Sequence, residues 1–219
     1  APATIEVDTC LHRGEEVDDD GALKPFERLG LASAVGGVAR NFFDHFYQLP
    51  KTRGAGAIAG VIGAAAGGAI LQSLAPGVQR LFSDRARAFA EEFYKPTRAR
   101  VEVDGKELAS DCFMSLQVGA IDINLAGVVR CFRRAASGGV LHFQAIATTP
   151  FGVLVNVPSI VLGTPIVGRD VFDGEAKTVT ITPADGGAVD PVIDGEPFTG
   201  LRWLELSLGP RLRIPLLRH

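Results

Sequence analysis

The stretch VIDGEPF at 192–198 sets two carboxylates, Asp194 and Glu196, on either side of Gly195. A carboxylate with an unperturbed pKa of about 3.9 is ionised at neutral pH and can accept a proton or orient a hydroxyl or a cation. Spacing alone gives a second account. Asp-Gly between strand-forming residues signals a two-residue type I′ turn, because both central residues need positive φ. The dipeptide recurs in VEVDGKEL (101–108) and DVFDGEAK (170–177). The sequence therefore predicts three Asp-Gly turns, at Asp104, Asp173 and Asp194, and Asp-Gly by itself marks no catalytic site.

The remaining reactive residues do not assemble into a hydrolase by pattern. His12, His45, His142 and His219 show no H-x-x-x-H pair, and no G-x-S-x-G elbow is present. His142, alternating with apolar neighbours in VLHFQ, reads as a solvent-facing or hydrogen-bonded structural residue. No G-x-x-x-x-G-K-[ST] loop and no strand leading into G-x-G-x-x-G offers a cradle for nucleotide phosphate. The acidic run EEVDDDG lacks the Gly and Glu placement of an EF-hand and reads as an exposed loop. Cys10, Cys112 and Cys131 have no C-x-x-C spacing, and their odd number fits reduced thiols and a cytoplasmic location. No basic segment followed by an apolar run opens the sequence, so no signal peptide is expected. A formal net charge of -3 argues against general nucleic-acid binding, while KPTRAR, RCFRR and PRLRIPLLRH leave room for a local phosphate or anionic-lipid patch.

At 219 residues, 47% hydrophobic and 21% charged, the chain has the balance of a globular protein with a sizeable core. TIEVDTCLHR alternates as a strand does. Gly36-Gly37 in LASAVGGVARNFF predicts a tight turn or the start of a helix lying close to another backbone. Residues 54–71, GAGAIAGVIGAAAGGAIL, carry no charge, are long enough to span a membrane, and hold G-x-x-x-G spacings at Gly56/Gly60 and Gly63/Gly67 that favour close helix approach. Six glycines and many alanines keep the stretch weakly hydrophobic, which favours a buried helix over a membrane anchor. PGVQRLFSDRARAFAEEFYKP places Val78, Leu81, Phe82, Arg85, Phe89 and Phe93 near helical spacing, predicting one amphipathic helix whose stripe faces the core rather than lipid. Beyond Pro96, RVEVDGKEL, GVLHFQAIATT, KTVTITP, VDPVIDGEPF and RWLELSLGPRLRIPL read as strands punctuated by Gly, Pro and Asp. TTPFGVLVNVPSIVLGTPIVGRD between them reads as a helix or an irregular crossover, since Pro158 and Pro165 would interrupt a central strand. The expected fold is mainly β (α+β): a single antiparallel β-sandwich lobe over 1–219, with a helical insertion over about 54–95 packed on it.

Taken in order, RVEVDGKEL, GVVRCFRRAASGGVLHF, DVFDGEAKTVTITP and VDPVIDGEPFTGLRWLELSLGPRLRIPL resemble the second lobe of the diacylglycerol kinase and sphingosine kinase family. LGLASAVGGVARNFF looks like the segment where that lobe begins. The resemblance covers most of the chain, and V-x-DGE-P is its most specific element. It implies a lobe that faces a nucleotide-binding lobe carrying G-G-D-G-T, a motif this sequence lacks. It further implies a lipid hydroxyl phosphorylated between the two lobes, with ATP and Mg²⁺ required by the complete enzyme and neither bound by this chain alone. The family's acidic position falls on Asp194, the proton acceptor, with Gly195 allowing close backbone approach and Glu196 orienting a basic group or the hydroxyl. Ser137, Gly138 and Gly139 stand where bacterial diacylglycerol kinases tend to carry acidic residues. A structural metal is therefore not expected, and the stretch leans toward the sphingosine and ceramide kinases. The implied partners are a diacylglycerol, sphingoid or ceramide-like lipid, a nucleotide-binding lobe and, transiently, a membrane surface. The alternative is a non-catalytic module of the same fold that binds lipid or protein.

Overall fold

The computed structural model describes residues 4–17, 20–48 and 54–215; His219 and part of the EEVDDDG run lie outside them. The strands are β1 (Thr4–Val7), β2 (Cys10–Val17), β3 (Leu23–Gly30), β4 (Ala32–Gly36), β5 (Thr97–Val103), β6 (Lys106–Glu107), β7 (Cys112–Phe113), β8 (Ser115–Gly119) and β9 (Ile123–Leu125). They continue with β10 (Val129–Cys131), β11 (Leu141–Ile146), β12 (Val171–Ala176), β13 (Thr178–Pro183), β14 (Val192–Ile193), β15 (Glu196–Pro197), β16 (Leu201–Leu208) and β17 (Leu212–Pro215). The helices are α1 (Gly37–Gln48), α2 (Ala55–Ser73), α3 (Pro76–Gln79), α4 (Asp84–Phe93) and α5 (Pro150–Leu162), with a 3₁₀ turn at Arg133–Ser137.

Two antiparallel sheets form the sandwich. The first runs β3-β2-β16-β13-β5-β6, with β7 also paired to β5, and the second runs β12-β11-β8-β4-β14-β15. The expected α+β sandwich is therefore the observed fold. Val101, Val179, Ile181, Leu204 and Leu206 from the first sheet meet Val35, Leu116, Val118, Phe143 and Ile193 from the second in one core. The alternation of KTVTITP explains its side of this core, with Val179 and Ile181 fully buried between threonines. The second sheet is covered on both faces, which is why every residue of β4 and β11 is buried. Its outer face carries the helices, through a second cluster containing Val61, Phe93, Tyr94, Met114, Ile146 and Val153.

Several expectations change here. Gly36-Gly37 does start a helix: Gly37 has φ 58, its N–H donates to Thr97 Oγ1 at 2.9 Å, and a Cβ there would run into the Met114 carbonyl. Residues 54–71 are helical, but α2 buries one face only, through Ala57, Ile58, Val61, Gly68, Ala69 and Leu71. Its G-x-x-x-G glycines make no close approach: nothing among the described residues lies within 4 Å of a Cβ built at Gly56, Gly60, Gly63 or Gly67. The single amphipathic helix is instead two, because Ser83 caps a new start by accepting from the Ala86 N–H at 3.3 Å. The break leaves Phe89 and Phe93 packed inside and turns Leu81, 83% exposed, and Phe82 outward. EEV, read as part of a loop, belongs to β2. Helices α1 and α5 add to those of the 54–95 insertion.

Gly37→Ala is expected to destabilise the protein by about 2 kcal/mol or more in urea unfolding, from the clash and the positive φ together. Gly63→Ala, in the open interior of α2, should stabilise it by about 0.5–1 kcal/mol. Equal responses of the two variants would contradict this account.

Candidate functional site

At three points a single residue carries the chain from one sheet directly into the other. Leu31 separates β3 from β4, Met114 separates β7 from β8, and Lys177 separates β12 from β13. At a corner the amides leave one ladder before joining the next, and they need other acceptors. Two of the Asp-Gly turns supply them. Asp194 (φ 48) and Gly195 (φ 88) form the turn between β14 and β15. The Asp194 carboxylate accepts from the Leu31 N–H at 2.9 Å and the Ala32 N–H at 3.0 Å, while its own N–H donates to the Ala32 carbonyl at 3.0 Å. Asp104 (φ 50) repeats this arrangement. It accepts from the Lys177 and Thr178 N–H groups at 2.8 and 2.9 Å and donates to the Thr178 carbonyl at 3.0 Å. The backbone bonds from Thr178 and Lys177 outweigh the opposing cost of burial and hold the Asp104 carboxyl below the usual range.

Surroundings distinguish the two aspartates. Asp194 and Gly195 line a cavity of about 390 Å³ together with Ala32, Ala34, Phe43, Phe132 and Val192. Phe43, Gln117, Leu125 and Cys131 also line a second cavity of about 140 Å³, whose walls are Phe42, Ile62, Phe93, Val153, Val157 and Ile160 from the helices. The two cavities thus adjoin across these four residues, one between the helices and the second sheet and the other at Asp194. The β9–β10 hairpin, turning at Ala126-Gly127, supplies Leu125 and Val129 to its wall and is braced by Arg130 Nε on Asp122 at 3.0 Å. Glu196 lies outside the cavity lining, ion-paired with Arg28 at 2.6 Å. The Tyr47 hydroxyl donates to the Gly195 carbonyl.

Sequence reasoning missed two groups. Behind Asp194, the fully buried His12 ties the two sheets together through Ser33 Oγ (3.1 Å) and the Arg28 carbonyl (3.3 Å). Burial brings its pKa down to about 4, outweighing the Arg28 bond and nearby Asp194, so it is neutral near pH 7. The second group corrects an expectation. Asp173-Gly174 is no turn; both residues lie inside β12, where Gly174 pairs with Phe143 and Asp173 with Gln144. The Asp173 side chain is 7% exposed and accepts from His142 Nε2 (2.7 Å), the Ile166 N–H (2.7 Å) and Gln144 Nε2 (3.3 Å). Gln117 Nε2 in turn donates to Gln144 Oε1 at 2.5 Å. His142 is buried, and its Nδ1 has no hydrogen-bond partner among the described residues. Arg134 approaches Asp173 at 3.4 Å, and Arg133 and Thr164 complete a polar pocket beside the pair. Desolvation works to raise the Asp173 carboxyl, and the bonds from His142, Ile166 and Gln144 override it, leaving the pKa at about 2.

No family model matches the chain, and no curated protein matches it by sequence. Among solved structures, the chain is similar to a diacylglycerol kinase of Bacillus anthracis at 11% identity and TM-score 0.45, covering 94% of this chain and 51% of that one. Two further B. anthracis proteins assigned as diacylglycerol kinases match at 12% and 15% identity, TM-scores 0.49 and 0.44. Each covers 93% of this chain, and 54% and 55% of its own length respectively. The chain spans about half the length of these structures. Likenesses this distant carry no inference about activity.

Replacing Asp104 or Asp194 by alanine is expected to cost a similar amount, about 1–3 kcal/mol, because each leaves two corner amides without an acceptor. Stability from Asp173 is complete above about pH 4, where the unfolded carboxyl is also ionised, and is lost as pH falls through 2. Asp173→Asn should flatten that part of the acid-unfolding profile. Superimposable profiles for variant and wild type between pH 4 and 2 would contradict the assignment.

Proposed function

We propose that this chain is the lipid-binding lobe of an ATP-dependent lipid kinase, cytoplasmic or peripheral to a membrane, and that Asp194 accepts the proton of the lipid hydroxyl. The observation that carries the reading is the pair of adjoining apolar cavities, the outer of which is lined by Asp194 and Gly195. An acyl chain laid among Phe42, Phe93 and Val153 would leave its polar head in the outer cavity, beside an acceptor fixed by two backbone amides. Asp194 Oδ2 shares one of those amides and keeps lone-pair capacity for a hydroxyl. Glu196 holds Arg28 at the rim, which makes it a positioning group in this reading. Phosphoryl transfer needs in-line placement of the hydroxyl and charge neutralisation by a metal ion. Among the described residues no three His, Cys, Asp or Glu side chains gather as a metal site. In this reading the nucleotide and its metal belong to a separate lobe, and this chain's part is to bind, orient and accept a proton.

Exposed apolar residues on the helical layer fit transient contact with a membrane. Phe151, Val155 and Leu162 on α5 and Ile70 on α2 point away from helices whose other faces line the cavity. A lipid could leave the bilayer beside them. The second reading, a non-catalytic lipid-binding module, is favoured by one observation: Asp194 makes the same backbone bonds as Asp104, which serves a corner alone.

A fluorescent long-chain monoacylglycerol should bind this chain saturably, and Val157→Trp, which fills the cavity, should weaken binding at least tenfold. Val155→Glu should keep that binding and lose co-sedimentation with anionic vesicles. Absence of saturable binding, or full binding by a folded Val157→Trp variant, would contradict the reading.

A further inference from the structure

The apolar cavity has one amide side chain in its wall, and its direction is determined. An ionised carboxylate only accepts, so Gln144 must turn its NH₂ toward Asp173. That places Gln144 Oε1 toward Gln117, which must answer with its own NH₂. The sequence of bonds ends there: Gln117 Oε1 accepts from no group among the described residues, although it belongs to a side chain that lines both cavities and the small polar pocket beside His142. His142, donating from Nε2, and the Ile166 N–H keep the Asp173 carboxylate fixed at the far end. The orientation of Gln117 is thus set by a charge two side chains away, and a flipped amide would face oxygen to oxygen with Gln144. Two residues earlier on β8, and therefore on the same face, Ser115 also lines the cavity, with a hydroxyl that can donate to a carbonyl.

Building on the lipid-binding reading above, we infer that Gln117 is a specificity-determining residue, and that the ligand is a long-chain lipid with a hydrogen-bond donor near its head, such as an amide N–H, rather than a lipid joined only through esters. An amide meets both groups of the strip, giving its N–H to Gln117 Oε1 and taking the Ser115 hydroxyl on its carbonyl. An ester oxygen offers Gln117 Oε1 no proton and sets two acceptors against each other in an apolar wall, where an unmade hydrogen bond is costly.

The test compares N-palmitoylethanolamine with ethylene glycol monopalmitate, which share chain length and terminal hydroxyl and differ in an N–H against an oxygen. Binding is measured by displacement of a fluorescent fatty-acyl probe from this chain. The amide should bind roughly 3- to 10-fold more tightly. Gln117→Met, which removes the acceptor, should erase the difference by weakening the amide and relieving the ester, and thermal unfolding near that of the native protein reports that the variant is folded. Asp173→Asn, which frees Gln144 to turn either way, should narrow it. Equal affinities in the native protein, or a preference that persists in both variants, overturns the inference and leaves the lipid-binding cavity standing. If neither lipid binds, both the inference and the lipid-binding reading fall.

Discussion

The sandwich depends on what happens to backbone amides where the chain passes from one sheet to the other. A strand that leaves its ladder must satisfy its N–H groups elsewhere, and at Leu31 and Lys177 the acceptor is an aspartate carboxylate held out by a tight turn. Positive φ at Asp104 and Asp194 aims each carboxylate back at its corner, and the following glycine completes the reversal. At Asp194 the residue that fixes a corner also places a carboxylate in the lining of an apolar cavity. Structure and proposed chemistry therefore share one side chain. A proton acceptor that must stay in place benefits from the two amides that make it structurally necessary.

The sandwich was legible because its strands alternate cleanly and its turns carry strong local signals. Two of the three Asp-Gly turns are where the sequence puts them. Asp173-Gly174 differs because its dipeptide lies inside a strand: Phe172 packs its ring over the open side of Gly174, and the reversal waits until Lys177. Nothing in DVFDGEAK separates those outcomes, since partner strands decide them. The break between α3 and α4 was written in the chain, as Ser83-Asp84 is a recognisable helix start, but the apolar spacing across it masked the signal. The G-x-x-x-G spacing on α2 misled for the opposite reason: small residues permit close packing without supplying a partner to pack against.

The candidate site was legible only in part. VIDGEPF could be singled out, whereas the apolar cavity could not, because its walls come from α1, α2, α5, β8 and the β9–β10 hairpin, which are distant in sequence. Least visible was the Asp173, Gln144, Gln117 row. Polar residues alternating with buried apolar ones on β8 and β11 look like a solvent-facing side of a sheet. Helices cover that side here, so the polar residues must satisfy one another. This enclosure turns an ordinary strand pattern into a directed set of hydrogen bonds ending on an oxygen with no donor among the described residues.

The central claim is that an acyl chain lies between the helical layer and the second sheet with its head at Asp194. The most direct measurement is photolabelling of the native chain with a fatty-acyl lipid carrying a diazirine at mid-chain, followed by peptide mapping. The account predicts labels on cavity-lining positions such as Phe42, Phe93 and Val153, suppressed by excess unlabelled lipid. Labels confined to outward residues such as Leu81, Phe82 and Val155, and insensitive to competitor, would contradict it.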